Sequence, residues 1–410
     1  MAIMKPFGAY RPAKQYVEDI AALPYDVYDR AEARREVDGK PLSFLNIDRP
    51  ETQFAPDYDM YAPEVYQKAH DMLESQIQQG FYIQDEAKCF YLYELTMDGR
   101  TQTGIVACAS IDDYQNAVIK KHENTRADKE QDRIRHVKAC QAQTGPIFLA
   151  YRKNEALAEI ISDVKTDKPE YDFTASDGIT HRVWVISDSA KVEKISDIFS
   201  GIQEIYIADG HHRCASAVKV GLQLREEHPD YTGDEEFNYF LSVLFADEEL
   251  MIMDYNRVVK TWNGMNKEAF LEKLSKVCDI TKLEAAKKPV QKGQVTMFME
   301  DTWYLMEFKQ EVRNQDPVEG LDVSLLQNLV LKPIFGIEDP KTDKNIDFVG
   351  GIRGIGELER RVHTDSKVAF CMYPTSIAEL FDVADHKLLM PPKSTWFEPK
   401  LRSGLFIHKF

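Results

Sequence analysis

The chain of 410 residues lacks the marks of several large functional classes. Its six cysteines, at 89, 108, 140, 214, 278 and 371, include no C-x-x-C pair, which excludes a zinc knuckle or a disulfide framework and leaves reduced thiols. No stretch approaches the roughly 18 to 20 apolar residues of a membrane-spanning helix. Met1-Ala2-Ile3-Met4-Lys5-Pro6 has no apolar centre of a signal peptide, so a soluble, cytoplasmic protein is expected. Positive charge is scarce: 51 Lys and Arg stand against 68 Asp and Glu, and the net charge of -17 repels a nucleic-acid backbone. The histidines form no H-x-H or H-x-x-x-H pair, so the usual sequence sign of a catalytic zinc is missing. Internal repeats and low-complexity tracts are absent as well.

The composition supplies what a globular chain needs. With 43% hydrophobic and 11% aromatic residues, the length suits two or three domains, or one large α/β domain with an addition. The sharpest local signal is Ile205-Tyr206-Ile207-Ala208-Asp209-Gly210-His211-His212-Arg213, where an apolar run stops at Asp-Gly. Ala215, Ala217, Val218 and Leu222 then give one apolar helical face, so the run reads as a buried strand turning into a helix. The first N–H groups of such a helix have no partner within it and favour an anion such as a phosphate. Gly210 lets the backbone approach closely, and Arg213 adds a forked cation.

Strand and helix patterns alternate along the chain. Asp29 reads as an N-cap, 43–47 as a short strand, and 61–80 as a helix ending at Gly80. Residues 89–95 and 102–109, joined at Asp98-Gly99, read as a β-hairpin. A strand over 117–120 leads into Lys121-His122-Glu123-Asn124-Thr125-Arg126, after which Asp128 and Gln131 predict a capping box and a helix from about 129 to 143. Further strands are expected at 147–151, 181–186, 238–246 and 250–259. The texture changes near 261, giving an expected core of 1–260 and a smaller domain of 261–410 whose last segment, from about 366, packs back on the core. The predicted class is α/β (α+β), a mixed-sheet core with a smaller added α+β domain.

Four other segments compete for a role. In Lys121 to Arg126 a carboxylate, Glu123, sits between two cations, so it can stay ionised as a general base while Lys121 and Arg126 meet phosphates. The plain alternative is a solvated charged loop. Gly350-Gly351-Ile352-Arg353-Gly354-Ile355-Gly356 matches neither G-x-G-x-x-G nor a P-loop and reads as a turn. Lys393-Ser394-Thr395 is either the end of an edge strand or an anion contact. Asp26 and Asn46 read as turn formers that could also face a ligand.

Taken together, Pro24-Tyr25-Asp26, Lys121 to Arg126, Ala208 to Arg213 and Met390-Pro391-Pro392-Lys393-Ser394-Thr395 resemble the bacterial and archaeal family called domain of unknown function 1015. The Gly-His-His-Arg element also resembles, more distantly, the Gly-x-x-Arg signature of the superfamily of sulfiredoxin, the partitioning protein ParB and free-serine kinases. That resemblance implies a nucleotide-binding core in which Gly210, His211, His212 and Arg213 contact phosphates. Sulfiredoxin has a cysteine where this chain has His211, so peroxiredoxin repair is not implied.

The expected function is a nucleotide-dependent phosphotransferase acting on a small hydroxylated metabolite, such as the amino acid serine. ATP, ADP or CTP with Mg2+ is the expected cofactor. Glu123, Asp209 and His211 are the candidates for chemistry; Gly210, His212, Arg213, Lys121, Arg126, Lys393 and Thr395 are the candidates for binding. Two rivals stand beside it: a nucleotide-binding switch or binding module without phosphoryl transfer, and a metal-dependent hydrolase. No nucleic-acid or membrane partner is expected, and the sequence leaves the oligomeric state open.

Overall fold

Strands that alternate with amphipathic helices build the architecture, as the sequence pattern requires. The computed structural model describes residues Met1 to Phe410. They divide into two units, Met1–Leu250 with Pro399–Phe410, and Met251–Glu398. The chain thus leaves the first unit at 250 and returns at 399, where the sequence reading places its boundaries at 260 and about 366.

The large sheet of the first unit has nine strands: β1 (Met4–Lys5), β2 (Phe90–Met97), β3 (Arg100–Ser110), β4 (Ile119–Lys120), β5 (Ile147–Tyr151), β6 (Tyr171–Thr174), β7 (Thr180–Ile186), β8 (Ile205–Asp209) and β9 (Tyr239–Ala246). Their order is β4-β8-β5-β9-β3-β2-β7-β6, with β1 beside β3. The sheet is mixed, because β8 runs parallel to β4 and β9 parallel to β5 while the remaining neighbours are antiparallel. The β2–β3 hairpin closes at Asp98-Gly99, both in the left-handed region (φ 51 and 78), the twist a two-residue hairpin turn favours.

Its helices of two turns or more are α1 (Arg30–Val37), α2 (Pro63–Gln78), α3 (Ala127–Cys140), α4 (Glu155–Val164), α5 (Ser189–Gly201) and α6 (His211–Glu227). One side of the sheet buries Leu92, Ile105, Leu149, Ile207 and Leu244 in a core with Leu157, Ile195, Phe199, Cys214 and Val218. Alternation along β2 sends Tyr91 and Tyr93 the other way, where Phe406 of the returning tail meets both rings at 5.3 and 6.0 Å. All six cysteines are buried and free.

Two local expectations differ from the fold. Residues 43–47 form no strand: Leu45–Asp48 is a helical turn, closed where Asn46 Nδ2 donates to the Ser43 and Lys40 carbonyls. Helix α3 starts at Ala127, earlier than 129, and Asp128 does not cap it, because its carboxylate is taken by the Arg126 guanidinium at 2.8 Å. Asp29, by contrast, caps α1 in a reciprocal box with Glu32, a device worth about 1 kcal/mol.

The second unit is α+β. Its antiparallel sheet contains β10 (Tyr255–Val259), β11 (Cys278–Leu283), β12 (Gln294–Met299), β13 (Thr302–Phe308), β14 (Ile346–Gly350) and β15 (Val368–Met372), in the order β11-β13-β12-β15-β10-β14. Within residues 350–356, Gly351 to Gly354 form the turn between β14 and a helix beginning at Ile355, in keeping with their spacing. Lys393 to Thr395 end no edge strand, because Pro391 and Pro392 remove two ladder donors and pairing resumes only at Trp396–Phe397.

Candidate functional site

The parallel pair β4 and β8 fixes the site. Ile205 lies opposite Ile119 and Tyr206 opposite Lys120, so both strands release their chains at the same end of the sheet. Antiparallel β5 begins there too, with Phe148 opposite Asp209. Three segments converge as a result: 121–126, 209–213 and Gly145-Pro146.

Gly210 is the N-cap of α6 at φ 89, ψ 31, a left-handed conformation that glycine adopts without strain. No side chain caps the helix, so the first turn presents its N–H groups outward. A Cβ on Gly210 would sit 3.2 Å from Arg213 Cζ, Nε and Nη2, so the guanidinium folds against this glycine. Arg213 Nη1 donates to the Pro146 carbonyl at 2.6 Å, while its buried Nε has no hydrogen-bond partner. Burial opposes the Arg213 charge, but Asp26 and Asp209 outweigh it and raise the pKa.

Asp209 is held on both oxygens. Oδ1 accepts the Gly210 N–H at 2.7 Å and Oδ2 accepts from Lys400 Nζ at 2.8 Å. Burial would favour the neutral acid, yet Lys400 and Arg213 prevail and hold the carboxyl far below the ordinary range. The Gly210 N–H is therefore committed within the turn, and the N–H groups left to meet a ligand are those further along the helix start.

His122 and His211 meet behind this turn. They are 1% and 7% exposed, with ring centroids 4.5 Å apart and planes at 87°. Both His122 nitrogens and His211 Nε2 are buried without a hydrogen-bond partner. The Ile207 carbonyl is near enough to favour protonation of His122 but outside hydrogen-bond geometry. Burial pushes His122 down to about 4 and, with His122 adding to it, drives His211 well below its ordinary value. Both rings are neutral at pH 7. One oxygen of half-buried Glu123 and one nitrogen of each ring lie within 4.8 Å of one another.

Further bonds lock the two chain segments together. His212 Nε2 accepts the Arg126 N–H at 3.0 Å, and the His212 carbonyl accepts the Ser216 hydroxyl at 2.7 Å. Beneath Arg213, a cavity of about 30 Å³ is bordered by Tyr25, Asp48, Arg133, Thr144 and Gly145, enough for about one water. Arg133 stacks on Tyr25 at 4.1 Å and pairs with Asp132 at 2.8 Å, and Thr144 donates to Asp48 at 2.9 Å.

Glu123, Asp209, Gly210, His211, His212 and Arg213 thus come together, with Lys121 and Arg126 exposed on the same loop. Lys393 and Thr395 belong to the second unit, where Lys393 takes φ 61 and lies over the Tyr255 ring at 5.6 Å. Sequence reasoning gave His122 no role of its own and passed over Lys400. The first was visible inside a polar strand-to-helix junction; the second carries no local signal.

The model of the family described as "Protein of unknown function (DUF1015)" matches residues 4–324. No curated protein matches the chain. Among solved structures, a free serine kinase in complex with AMP is 14% identical, covering 72% of this chain and 86% of its own at a TM-score of 0.36. A conserved hypothetical protein from Pyrococcus furiosus is 16% identical, with 73% and 93% covered at 0.35. SbnI with a C-terminal truncation, from Staphylococcus aureus, is 11% identical, with 72% and 82% covered at 0.38.

Proposed function

We propose that this chain, which belongs to the family described as protein of unknown function DUF1015, is a nucleotide-dependent phosphotransferase for a small hydroxylated metabolite. The observation that carries the reading is the meeting of an anion-binding helix start with a carboxylate: Glu123 lies within 4.8 Å of His211 at the glycine-opened, uncapped end of α6. A phosphate fits there on the chemistry of its donors. The helix start offers outward N–H groups and a positive dipole end, and Arg213 keeps an unpaired Nε.

A bound nucleotide, ATP, ADP or CTP with Mg2+, supplies the phosphoryl group. The chain's own residues then have distinct tasks. The first-turn N–H groups of α6 and the Arg213 guanidinium hold and neutralise phosphate. His212 ties the α6 start to the Arg126 backbone and so fixes the two walls of the cleft. Exposed Lys121 adds positive charge at its mouth, and Arg126 would do so on release from Asp128. Glu123 takes the proton from the substrate hydroxyl. Asp209 suits that task less well, because a carboxylate stabilised by Lys400 and Gly210 is a weak base; it positions Gly210 instead.

The test is calorimetry on the purified chain with ATP, ADP and CTP in the presence of Mg2+, followed by phosphoryl transfer to serine and other small hydroxylated metabolites. Binding of no nucleotide removes the reading. Binding without transfer to any such acceptor leaves a nucleotide-binding module.

A further inference from the structure

We propose that His122, Glu123 and His211 form a binding site for a transition-series divalent cation such as Zn2+, Mn2+ or Co2+. The donors come from two segments that the parallel β4–β8 pairing holds in register, so the site is set by the sheet rather than by one flexible loop. One atom from each residue lies within 4.8 Å of the others, a spread that closes on a shared ion with small side-chain rotations.

The second observation is the state of the rings. Buried imidazole nitrogens nearly always have partners, and here three of them, two on His122 and one on His211, have none. A neutral imidazole offers one lone pair, and a cation seated between the rings uses the lone pair of each. Glu123, half-buried, brings the negative charge and leaves an open side for exchange.

The donor set names the class of ion. Two imidazoles with one carboxylate suit zinc and the neighbouring transition metals, whereas Mg2+ prefers oxygen ligands throughout. The site therefore differs from the Mg2+ that accompanies a nucleotide, and its existence does not depend on nucleotide binding. Where the cation is seated, Glu123 would be one of its ligands rather than the base, and the metal would supply the lowering of a hydroxyl pKa.

The experiment dialyses the full chain, freed of metal by a chelator, against Zn2+, Mn2+ or Co2+ in turn and measures retained metal by elemental analysis and affinity by calorimetry. The wild-type chain is expected to retain about one equivalent. Glu123→Gln, which leaves both buried rings in place, is expected to bind at least about ten-fold more weakly, and His122→Asn more weakly still. Melting curves confirm that each variant is folded; if His122→Asn does not fold, Glu123→Gln alone decides. Excess Mg2+ is expected not to displace the bound ion. No retention by the wild type, unchanged affinity in folded Glu123→Gln, or ready displacement by Mg2+ overturns the proposal. Nucleotide titrations on the same samples report separately on the phosphotransferase reading.

Discussion

Lys400 Nζ stands 2.8 Å from Asp209 Oδ2, so a residue of the tail 399–410 neutralises the carboxylate that ends β8. The Asp209 side chain is 31% exposed and that of Lys400 15%, so water screens the pair only in part. Lys400→Met leaves the carboxylate without its strongest cation and is expected to cost about 1–3 kcal/mol, less than a fully buried pair would. The sign of the pH effect follows from the depressed Asp209 pKa. Its contribution is present above the unfolded value of about 4 and is lost as pH falls through the lower folded value. Urea unfolding from pH 5 downward, compared between wild type and Lys400→Met, is expected to show that acid-labile part missing in the variant.

Gly210→Ala places a side chain at φ 89 and a Cβ 3.2 Å from the Arg213 guanidinium. The strain is expected to lower stability by about 1–2 kcal/mol. Because Arg213 must move, nucleotide affinity is expected to fall further than a melting curve alone would suggest. Calorimetry on the folded variant checks this; unchanged affinity would place the phosphate elsewhere.

Glu123→Gln is expected to keep nucleotide binding while slowing phosphoryl transfer by about 10²–10⁴. The side chain is half-buried, and the amide keeps its shape. Single-turnover assays with saturating nucleotide separate the two steps. A variant as fast as the wild type would show that Glu123 takes no proton.

His181 governs a second acid response, far along the same sheet. Arg402 Nε donates to its Nε2 at 3.2 Å, so Nδ1 carries the proton and donates to Tyr93 Oη at 2.9 Å; Asp177 pairs with the same arginine. Burial first, and the Arg402 charge second, lower its pKa to about 3. Between about pH 6.5 and 3 the unfolded chain takes up a proton the folded one refuses, so stability falls with pH by up to about 1.4 kcal/mol per unit. His181→Gln is expected to flatten that slope in denaturant titrations at pH 6, 5 and 4.

Local pattern made the strand-to-helix junction at Asp209-Gly210 legible, since an apolar run, a glycine and a new helical face all coincide there. The same holds for the β2–β3 hairpin and the Asp29 box. Residues 43–47 misled because five consecutive buried side chains carry no period, and only the Asn46 side-chain bonds decide for a helical turn. The nearness of His122 to His211 depends on a two-residue strand, Ile119–Lys120, pairing with β8. Lys400 and Arg402 act across the full length of the first unit, and nothing in their neighbours announces a partner at Asp209 or Asp177.

The tail gives synthesis an order. Asp209 waits for Lys400, His181 for Arg402, and Gln143 for its β-partner His408, and all three are translated only after residues 251–398 have emerged. Until then the rings of Tyr91 and Tyr93 lack Phe406, leaving an apolar patch on a nascent sheet that invites chaperones or misassembly. A chain cut before Pro399 is expected to bind a hydrophobic dye more strongly than the full chain, because the face that Phe406 covers is then open.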